Sequence, residues 1–259
     1  EAHDLDRVVV VLLGSTEPQV DLYALPNDAE ALDAMLDETS CPLRASSLYA
    51  IGAAHAGAAF VNFTPSLGAS CDAISELFFR RRLPHAGSDG KTGETLLKSV
   101  LAPMFAARNL AVESWVGHNL LGNRDGAVLA DPANKEAKLR SKQQLLNEVL
   151  GYTPQSHVSI ENIESLGDWK TAWNHVHFQG FLGVPMTLQL TWQGCDSTLA
   201  APLVIDLTRL MDLALRRGDA GVIEPLGAFF KSPLGDASQA FADQMRSLIE
   251  WAHNAPSNS

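Results

Sequence analysis

The residues best suited to chemistry lie in a glycine-rich turn, Gly-Ser-Asp-Gly-Lys-Thr-Gly at residues 87–93. Apolar residues recur at helical spacing over residues 97–107 directly after it. Such a turn directs free backbone N–H groups and the positive end of the helix dipole at a bound group. An alternative is that Thr92 caps the helix, with Glu94 in its first turn. The turn is not a phosphate-binding P-loop, because His85 occupies the position of that motif's first glycine.

The elements that must position this turn form an alternating α/β pattern. Continuous apolar runs at residues 8–13 and 58–62 predict buried parallel strands. Helices separate them from the turn, including one that Ser46 or Ser47 can cap and one over residues 68–80. This order predicts the later part of a doubly wound, Rossmann-like parallel sheet. Ligands bind beyond the carboxyl ends of the strands in such sheets.

The pattern changes after residue 108. Four strand-like runs predict an antiparallel sheet and therefore a second, α+β region; they are residues 112–118, 157–163, 173–181 and 186–192. Amphipathic patterns predict one helix over residues 135–150 and another over residues 237–252. Between them, a longer helix of about five turns is predicted to end at Arg217. The fold class is therefore α/β, with a parallel sheet and an α+β region.

Composition limits the classes of partner. The chain has 259 residues and a net charge of −11, so nucleic acid and anionic membranes are not expected partners. Three cysteines outside any paired motif are typical of a reducing compartment, and we expect a cytoplasmic protein. His175 and His177 share a strand face, but no further ligand is placed to complete a metal site. The chain begins with glutamate, which suggests a fragment.

Three turns share a Gly- or Asn-rich character and carry lysines or carboxylates: residues 87–93, 119–126 and 167–170. Taken in order along the chain, these motifs resemble the myo-inositol-1-phosphate synthase family. The family pattern is G-D-D-x-K-S-G, N-x-L-G-N-N-D-G, R-S-K, G-D-S-K, D-S-L-x-A-x-P-L-I-I-D-L and K-x-P. This chain reads G-S-D-G-K-T-G, N-L-L-G-N-R-D-G, R-S-K, G-D-W-K, D-S-T-L-A-A-P-L-V-I-D-L and K-S-P. Upstream, its S-T-E and S-S-L-Y-A resemble N-T-E and S-T-L-x-A.

The resemblance implies an NAD-dependent isomerase that converts glucose 6-phosphate to inositol 3-phosphate. C5 is oxidised, C6 is enolised, the ring closes by an aldol step onto C1, and the product is reduced again. The implied catalytic residues are Lys142, Lys170, Lys231 and Asp196, and the implied substrate-binding residues are Asp168, Ser197 and Lys138. The implied NAD-binding residues are Leu13, Gly14, Ser15, Thr16, Thr64, Asp89, Thr92, Asn123 and Asp125.

These residue types suit that chemistry. A hydride step needs a proton acceptor for the hydroxyl, which a lysine can provide. An enolate needs fixed positive charge nearby, which Lys142, Lys170 and Lys231 can supply. We therefore expect their amines to surround one cavity, with Asp168 or Asp196 beside them.

The resemblance also implies a division of the chain. Residues 1–92 are expected to form a partial NAD-binding domain, residues 93–217 an α+β catalytic and oligomerisation domain, and residues 218–259 a segment that returns to the first. The Gly-rich loop that holds the pyrophosphate is not in this sequence, so we expect the chain alone to bind NAD poorly and to be inactive. A homodimer or homotetramer is expected through the α+β region.

Three positions depart from the family pattern: Ser88, Arg124 and Leu146. Leu146 stands where the family has a second lysine, and Arg124 or Lys138 could take over a phosphate contact. Two alternatives therefore stay open. The first is a paralogous NAD-dependent sugar-phosphate oxidoreductase or cyclase, and the second is a non-catalytic oligomerising fragment.

Overall fold

A computed structural model describes residues 5–18, 20–38, 41–123, 126 and 145–254. The chain divides into two compact units. The first contains Glu1–Gly90, Pro202–Ala237 and Met245–Ser259, and the second contains Lys91–Ala201 and Ser238–Gln244. Each unit combines residues that are distant in sequence. The assignment of one region to NAD binding and the other to catalysis remains a proposal.

The described strands and helices follow one another in a consistent order. The parallel-sheet region contains β1 (Val9–Leu12), α1 (Ala29–Leu36), α2 (Ala45–His55), β2 (Ala59–Asn62), α3 (Asp72–Arg80) and β3 (Pro84–Gly87). It is followed by α4 (Glu94–Ala107), β4 (Ala111–Leu121), β5 (Gln155–Asn162), β6 (Trp169–Gln179) and β7 (Pro185–Cys195). The chain then forms α5 (Asp196–Arg217), β8 (Gly221–Val222) and α6 (Phe241–His253).

The first unit contains a parallel sheet of order β1-β2-β3-β8 among the described strands. This confirms the predicted α/β class. β2 is fully buried, as its apolar sequence predicts. The prediction that β1 is buried is wrong, because all four of its residues are partly exposed. The reason is its position at the end of the sheet, where one described neighbour covers it.

The helices of the first unit pack on this sheet around Leu32, Phe60, Ile74 and Phe78. Two predicted details are wrong. The expected cap of α2 by Ser46 or Ser47 is absent, since both lie inside the helix and Arg44 is the N-cap residue without a side-chain bond. The helix predicted over residues 68–80 begins only at Asp72.

The second unit contains a sheet of order β5-β4-β6-β7. β4 pairs antiparallel with β6, and β6 with β7, but β4 and β5 are parallel. The predicted antiparallel sheet is therefore wrong, and the sheet is mixed. A parallel pair needs a crossover of about a dozen residues, and the connection over residues 122–154 is longer than that.

One face of the mixed sheet is buried under α4 and a helical stretch at residues 145–150. Phe105, Trp115, Leu146 and Val176 form the centre of this core. The alternation along β4 and β6 places every second residue on this inner face. In the part of the chain that the structure describes, none of the helices has both the length and the apolar character to cross a membrane.

Candidate functional site

In the first unit, the loops after β1, β2 and β3 meet at the carboxyl edge of the sheet. The backbone N–H of Glu17 donates to Ser66 Oγ at 3.0 Å. The backbone N–H of Asp89 donates to the Thr64 carbonyl at 2.9 Å. The Glu17 carboxylate accepts the backbone N–H of Ser46 at 3.0 Å, and so satisfies a free amide in the first turn of α2. The loops after these three strands therefore form one edge.

Asn62, the last residue of β2, holds the next loop in place. Its Oδ1 accepts the Thr64 backbone N–H at 3.0 Å and the Thr64 hydroxyl at 2.7 Å, and its Nδ2 donates to the Ser66 carbonyl at 2.7 Å. Thr64 is buried, and its hydroxyl is engaged within the protein. It shapes the edge rather than presenting a hydroxyl to solvent.

The turn after β1 presents a different surface. Leu13 is 60% exposed, and Gly14 and Ser15 are exposed beside it. Thr16 is partly buried. The backbone of this turn is therefore accessible at the edge where parallel α/β sheets bind ligands.

Asp89 and Lys231, both predicted site residues, form an ion pair within the first unit. Lys231 Nζ lies 2.8 Å from Asp89 Oδ1, and the Lys231 backbone N–H donates to the Asp89 carbonyl at 2.7 Å. Asp89 has φ = 61°, a left-handed conformation that aspartate adopts more readily than most residues. The two residues are 142 positions apart, so only the fold brings them together.

In the second unit, Lys170 and Asp196 form a second ion pair. Lys170 Nζ lies 3.2 Å from Asp196 Oδ2. Thr92 Oγ1 donates to Asp196 Oδ1 at 3.3 Å, so the carboxylate has partners on both oxygens. The alternative that Thr92 caps α4 is wrong, because Gly93 is the N-cap residue and no side chain caps the helix. The Thr92 hydroxyl is therefore available to this pair.

Further polar groups lie just before β6 and at the start of α5. Asp168 and Ser197 are exposed. The hydroxyl of Thr198 is the main cause that lowers the pKa of the Cys195 thiol, with help from backbone N–H groups at the start of α5, whereas Asp168 raises it. Asp168 thus lies near Cys195, the last residue of β7.

Lys91 is a buried group that sequence reasoning did not single out. It is 3% exposed, donates through Nζ to Gln244 Oε1, and lies 5.5 Å from the centre of the Phe241 ring. Burial lowers its pKa to about 8. The only sequence signal was its place in the glycine-rich turn, which does not reveal burial.

Glu94 and Lys98 form another pair that sequence reasoning missed, with 3.1 Å between Lys98 Nζ and Glu94 Oε1. Their spacing of four residues in a helix was a usable signal. The charge on each side chain is buried, which no local pattern shows.

Several predicted residues cannot be placed. Lys138, Lys142 and Asp125 lie outside the described residues, as does Arg124. Asn123 is described, and its Oδ1 accepts the Gly126 backbone N–H at 3.2 Å. Lys170 and Lys231 lie in different units, so the convergence of the lysines on one cavity remains a prediction. Among the described residues, no group of three or more His, Cys, Asp or Glu side chains could hold a metal ion.

The fold and these pairs place the chain in a known structural class. Inositol-3-phosphate synthase from Caenorhabditis elegans superposes with a TM-score of 0.88 at 26% identity, over 96% of this chain and 53% of that one. A myo-inositol-1-phosphate synthase-related protein from Thermotoga maritima gives a TM-score of 0.83 at 27% identity, over 96% of this chain and 66% of that one. The chain therefore shares the fold of inositol-phosphate synthase structures.

The sequence comparisons define the family more narrowly. Residues 93–197 match the family model for myo-inositol-1-phosphate synthase. Inositol-3-phosphate synthase 1 of Bacteroides thetaiotaomicron is 36% identical over 91% of this chain and 57% of its own length. A probable inositol 3-phosphate synthase isozyme of Arabidopsis thaliana is 31% identical over 83% of this chain and 44% of its own length. The chain belongs to the myo-inositol-1-phosphate synthase family and spans about half the length of these curated relatives.

Proposed function

We propose that the protein of which this chain is a part converts D-glucose 6-phosphate to 1D-myo-inositol 3-phosphate, with NAD as a cofactor. The observation that supports this most directly is the Lys170–Asp196–Thr92 cluster, at 3.2 and 3.3 Å, in which Lys170 and Asp196 lie inside the segment that matches the family model. An amine beside a carboxylate can move a proton and can stabilise a developing oxyanion.

The residues present at the carboxyl edge of the parallel sheet suit a dinucleotide. The exposed turn at Leu13, Gly14 and Ser15 offers backbone groups, and the loops that carry Thr64 and Asp89 lie beside it. When bound, NAD would accept a hydride and return it. From the family resemblance, we also propose Thr16, Thr92, Asn123 and Asp125 as NAD-binding residues.

The lysines would act on the sugar phosphate itself. In the proposed reaction, Lys170 accepts or donates a proton at a substrate oxygen, and Asp196 keeps the amine in position. Lys231, paired with Asp89, supplies a second positive charge. Lys142 is proposed as a further catalytic lysine that stabilises the enolate, and Asp168, Ser197 and Lys138 are proposed to bind the substrate.

The full-length protein tests this proposal. Incubation with glucose 6-phosphate and NAD should yield inositol phosphate. The product can be measured by NMR, or by the phosphate that is released when inositol phosphate is selectively oxidised. Lys170→Ala should reduce turnover by roughly 10²-fold or more, because the proton-transfer group is lost. Arg209→Ala, which removes an exposed charge on α5, is the matched control and should retain activity. Full turnover by the Lys170 variant would refute the catalytic assignment.

A second candidate function is a paralogous NAD-dependent sugar-phosphate oxidoreductase or cyclase. The observation that favours it is Leu146, which is fully buried in the core with Phe105 and Trp115. An apolar core residue there cannot contact a phosphate. A panel of aldose and ketose phosphates, each incubated with NAD, separates the two candidates. Turnover of another sugar phosphate, without inositol phosphate, would select the second.

We also propose a cytoplasmic homo-oligomer, a dimer or tetramer, that contributes to inositol and phospholipid biosynthesis. The three cysteines are free, as expected of a reducing compartment. β7 is the last described strand of the mixed sheet, and the turn before it exposes Phe181 and Leu182, which supports self-association.

A further inference from the structure

The first two turns of α4 hold an ion pair that is entirely inside the second unit. The side chains of Lys98 and Glu94 are 0% and 2% exposed, with 3.1 Å between Lys98 Nζ and Glu94 Oε1. Lys98 Nζ also lies 5.7 Å from the centre of the Trp115 ring. Lysine and glutamate are seldom fully buried, so this pair needs a physical reason.

The sheet beneath the pair is adapted to it. A Cβ on Gly117 would lie 2.9 Å from Glu94 Oε1 and 3.2 Å from Asn174 Oδ1. The carboxylate is therefore packed against bare backbone, and a side chain at position 117 would displace it. Trp115 Nε1 donates to Asn174 Oδ1 at 2.9 Å, which fixes the neighbouring amide.

This polar cluster lies on the same sheet face as the proposed catalytic lysine. Lys170 and Asn174 are four residues apart on β6, so both side chains lie on the inner face. Asn119, across from Ala172, is on that face of β4 and is 2% exposed. Buried polar groups thus extend from Lys170 toward Lys98.

Stability alone does not explain the pair. The desolvation of two buried charges can exceed their attraction, and well-packed apolar residues often replace such a pair without loss of stability. Buried ion pairs instead fix one arrangement in some proteins, because any other arrangement leaves a charge unpaired. Here the pair lies in the first two turns of α4, so the arrangement in question is the position of the start of this helix.

The start of α4 leads directly to the candidate site. Glu94 is the first residue of α4 and follows Thr92 by two positions. Thr92 Oγ1 bonds Asp196 Oδ1 at 3.3 Å, and Asp196 Oδ2 pairs with Lys170 at 3.2 Å. A shift or rotation of this helix end would move the Thr92 hydroxyl away from Asp196.

We propose that Glu94 and Lys98 are positioning residues, which hold Thr92 against Asp196 and thereby orient Lys170. This inference rests on the proposed function, in which Lys170 acts on the substrate. Neither residue is proposed to touch substrate or cofactor.

The test is the double variant Glu94→Gln/Lys98→Met in the full-length protein, which removes both charges and leaves none unpaired. We expect kcat to fall by roughly 10- to 100-fold, because a misplacement of about 1 Å can have that effect. KM should change by less than about threefold, and the pH profile of kcat should shift. The control Asp206→Asn/Arg209→Met removes an exposed ion pair from α5 and should change none of these.

A second measurement does not depend on turnover. The ¹⁵N and ¹H shifts of the Lys170 side-chain ammonium, assigned with Lys170→Arg, should change in the double variant and stay unchanged in the control. Urea unfolding should show that the double variant remains folded. An unchanged Lys170 signal, or a kcat loss that only follows the unfolded fraction, would overturn the positioning role. If the wild type has no synthase activity, the Lys170 signal still decides this proposal.

Discussion

His85 is a buried histidine in the middle of the parallel sheet. Its Nε2 lies 2.9 Å from Ser75 Oγ, and the Phe78 ring centre is 5.0 Å from the imidazole centre. Burial lowers its pKa from 6.5 to about 4. A proton therefore binds the unfolded chain near pH 6.5 but the folded protein only near pH 4.

The contribution of His85 to the free energy of unfolding is fully present above pH 6.5. It decreases by about 3 kcal/mol as the pH falls toward 4. His85→Leu should flatten this part of the pH–stability curve. Urea denaturation at pH 7, 6, 5 and 4.5 measures it. His157→Leu, which removes an exposed histidine, is the control and should keep the wild-type slope. Equal slopes in His85→Leu and wild type would contradict the prediction.

Lys91 should make the stability of the protein depend on pH in the alkaline range. Burial lowers its pKa from 10.5 to about 8, so the penalty for burying its charge is fully present below pH 8. Between pH 8 and 10.5 the unfolded chain holds a proton that the folded protein has released, and stability should rise with pH by about 3 kcal/mol. Lys91→Met/Gln244→Leu removes the amine and its acceptor together and should abolish that rise. Guanidinium unfolding at pH 7.5, 9 and 10 would show it.

For single residues, the sequence predicted which residue types matter better than it predicted their partners or their burial. The motifs were enough to select four charged residues, and the structure shows that they form two ion pairs, Lys170 with Asp196 and Lys231 with Asp89. The pairing itself depends on contacts across as many as 142 positions, which spacing does not encode. The burial of Lys91 likewise depends on Gln244, near the other end of the chain.

Gly90, which follows β3 by three residues, shows how a close contact with the backbone depends on one small residue. A Cβ at Gly90 would lie 2.1 Å from the Phe63 ring, so the ring covers bare backbone. Gly90→Ala should therefore destabilise the protein by about 1–3 kcal/mol, and Phe63→Ala in the same chain should recover part of that loss. The control is Gly52→Ala in α2, where no atom lies within 4 Å of the added Cβ. That change should stabilise by about 0.5–1 kcal/mol. Thermal unfolding of these three variants and the wild type tests the comparison.

Whole elements were predictable where one local pattern determined them. The continuous apolar run of β2 and the helical period of α5 both appear in the structure. The parallel pairing of β4 with β5 was not predictable, since alternation describes the faces of a strand and not the direction of its neighbour. The partial exposure of β1 had the same cause, because its position in the sheet is a property of the assembled unit.

For the whole molecule, the mixed sheet offers a surface for a second copy of the chain. β7 is the last described strand of the sheet and has no charged residue, although charges commonly protect such edges. The turn before it exposes Phe181 by 88% and Leu182 by 83%. Exposed apolar side chains next to an uncharged edge are typical of a surface that another protein covers.

We therefore expect the protein to be a dimer or tetramer at micromolar concentration, and Phe181→Ser/Leu182→Ser to shift it toward the monomer. The reason is that the two substitutions remove apolar area from the contact without changing charge, and each fully buried side chain of this size contributes about 1.5–3 kcal/mol. Sedimentation velocity measures the distribution. Leu22→Ser/Tyr23→Ser, which removes two exposed apolar side chains from the first unit, is the control and should leave the oligomer intact. A wild-type protein that sediments only as a monomer would contradict self-association, and equal dissociation in both variants would contradict the placement of the contact at β7.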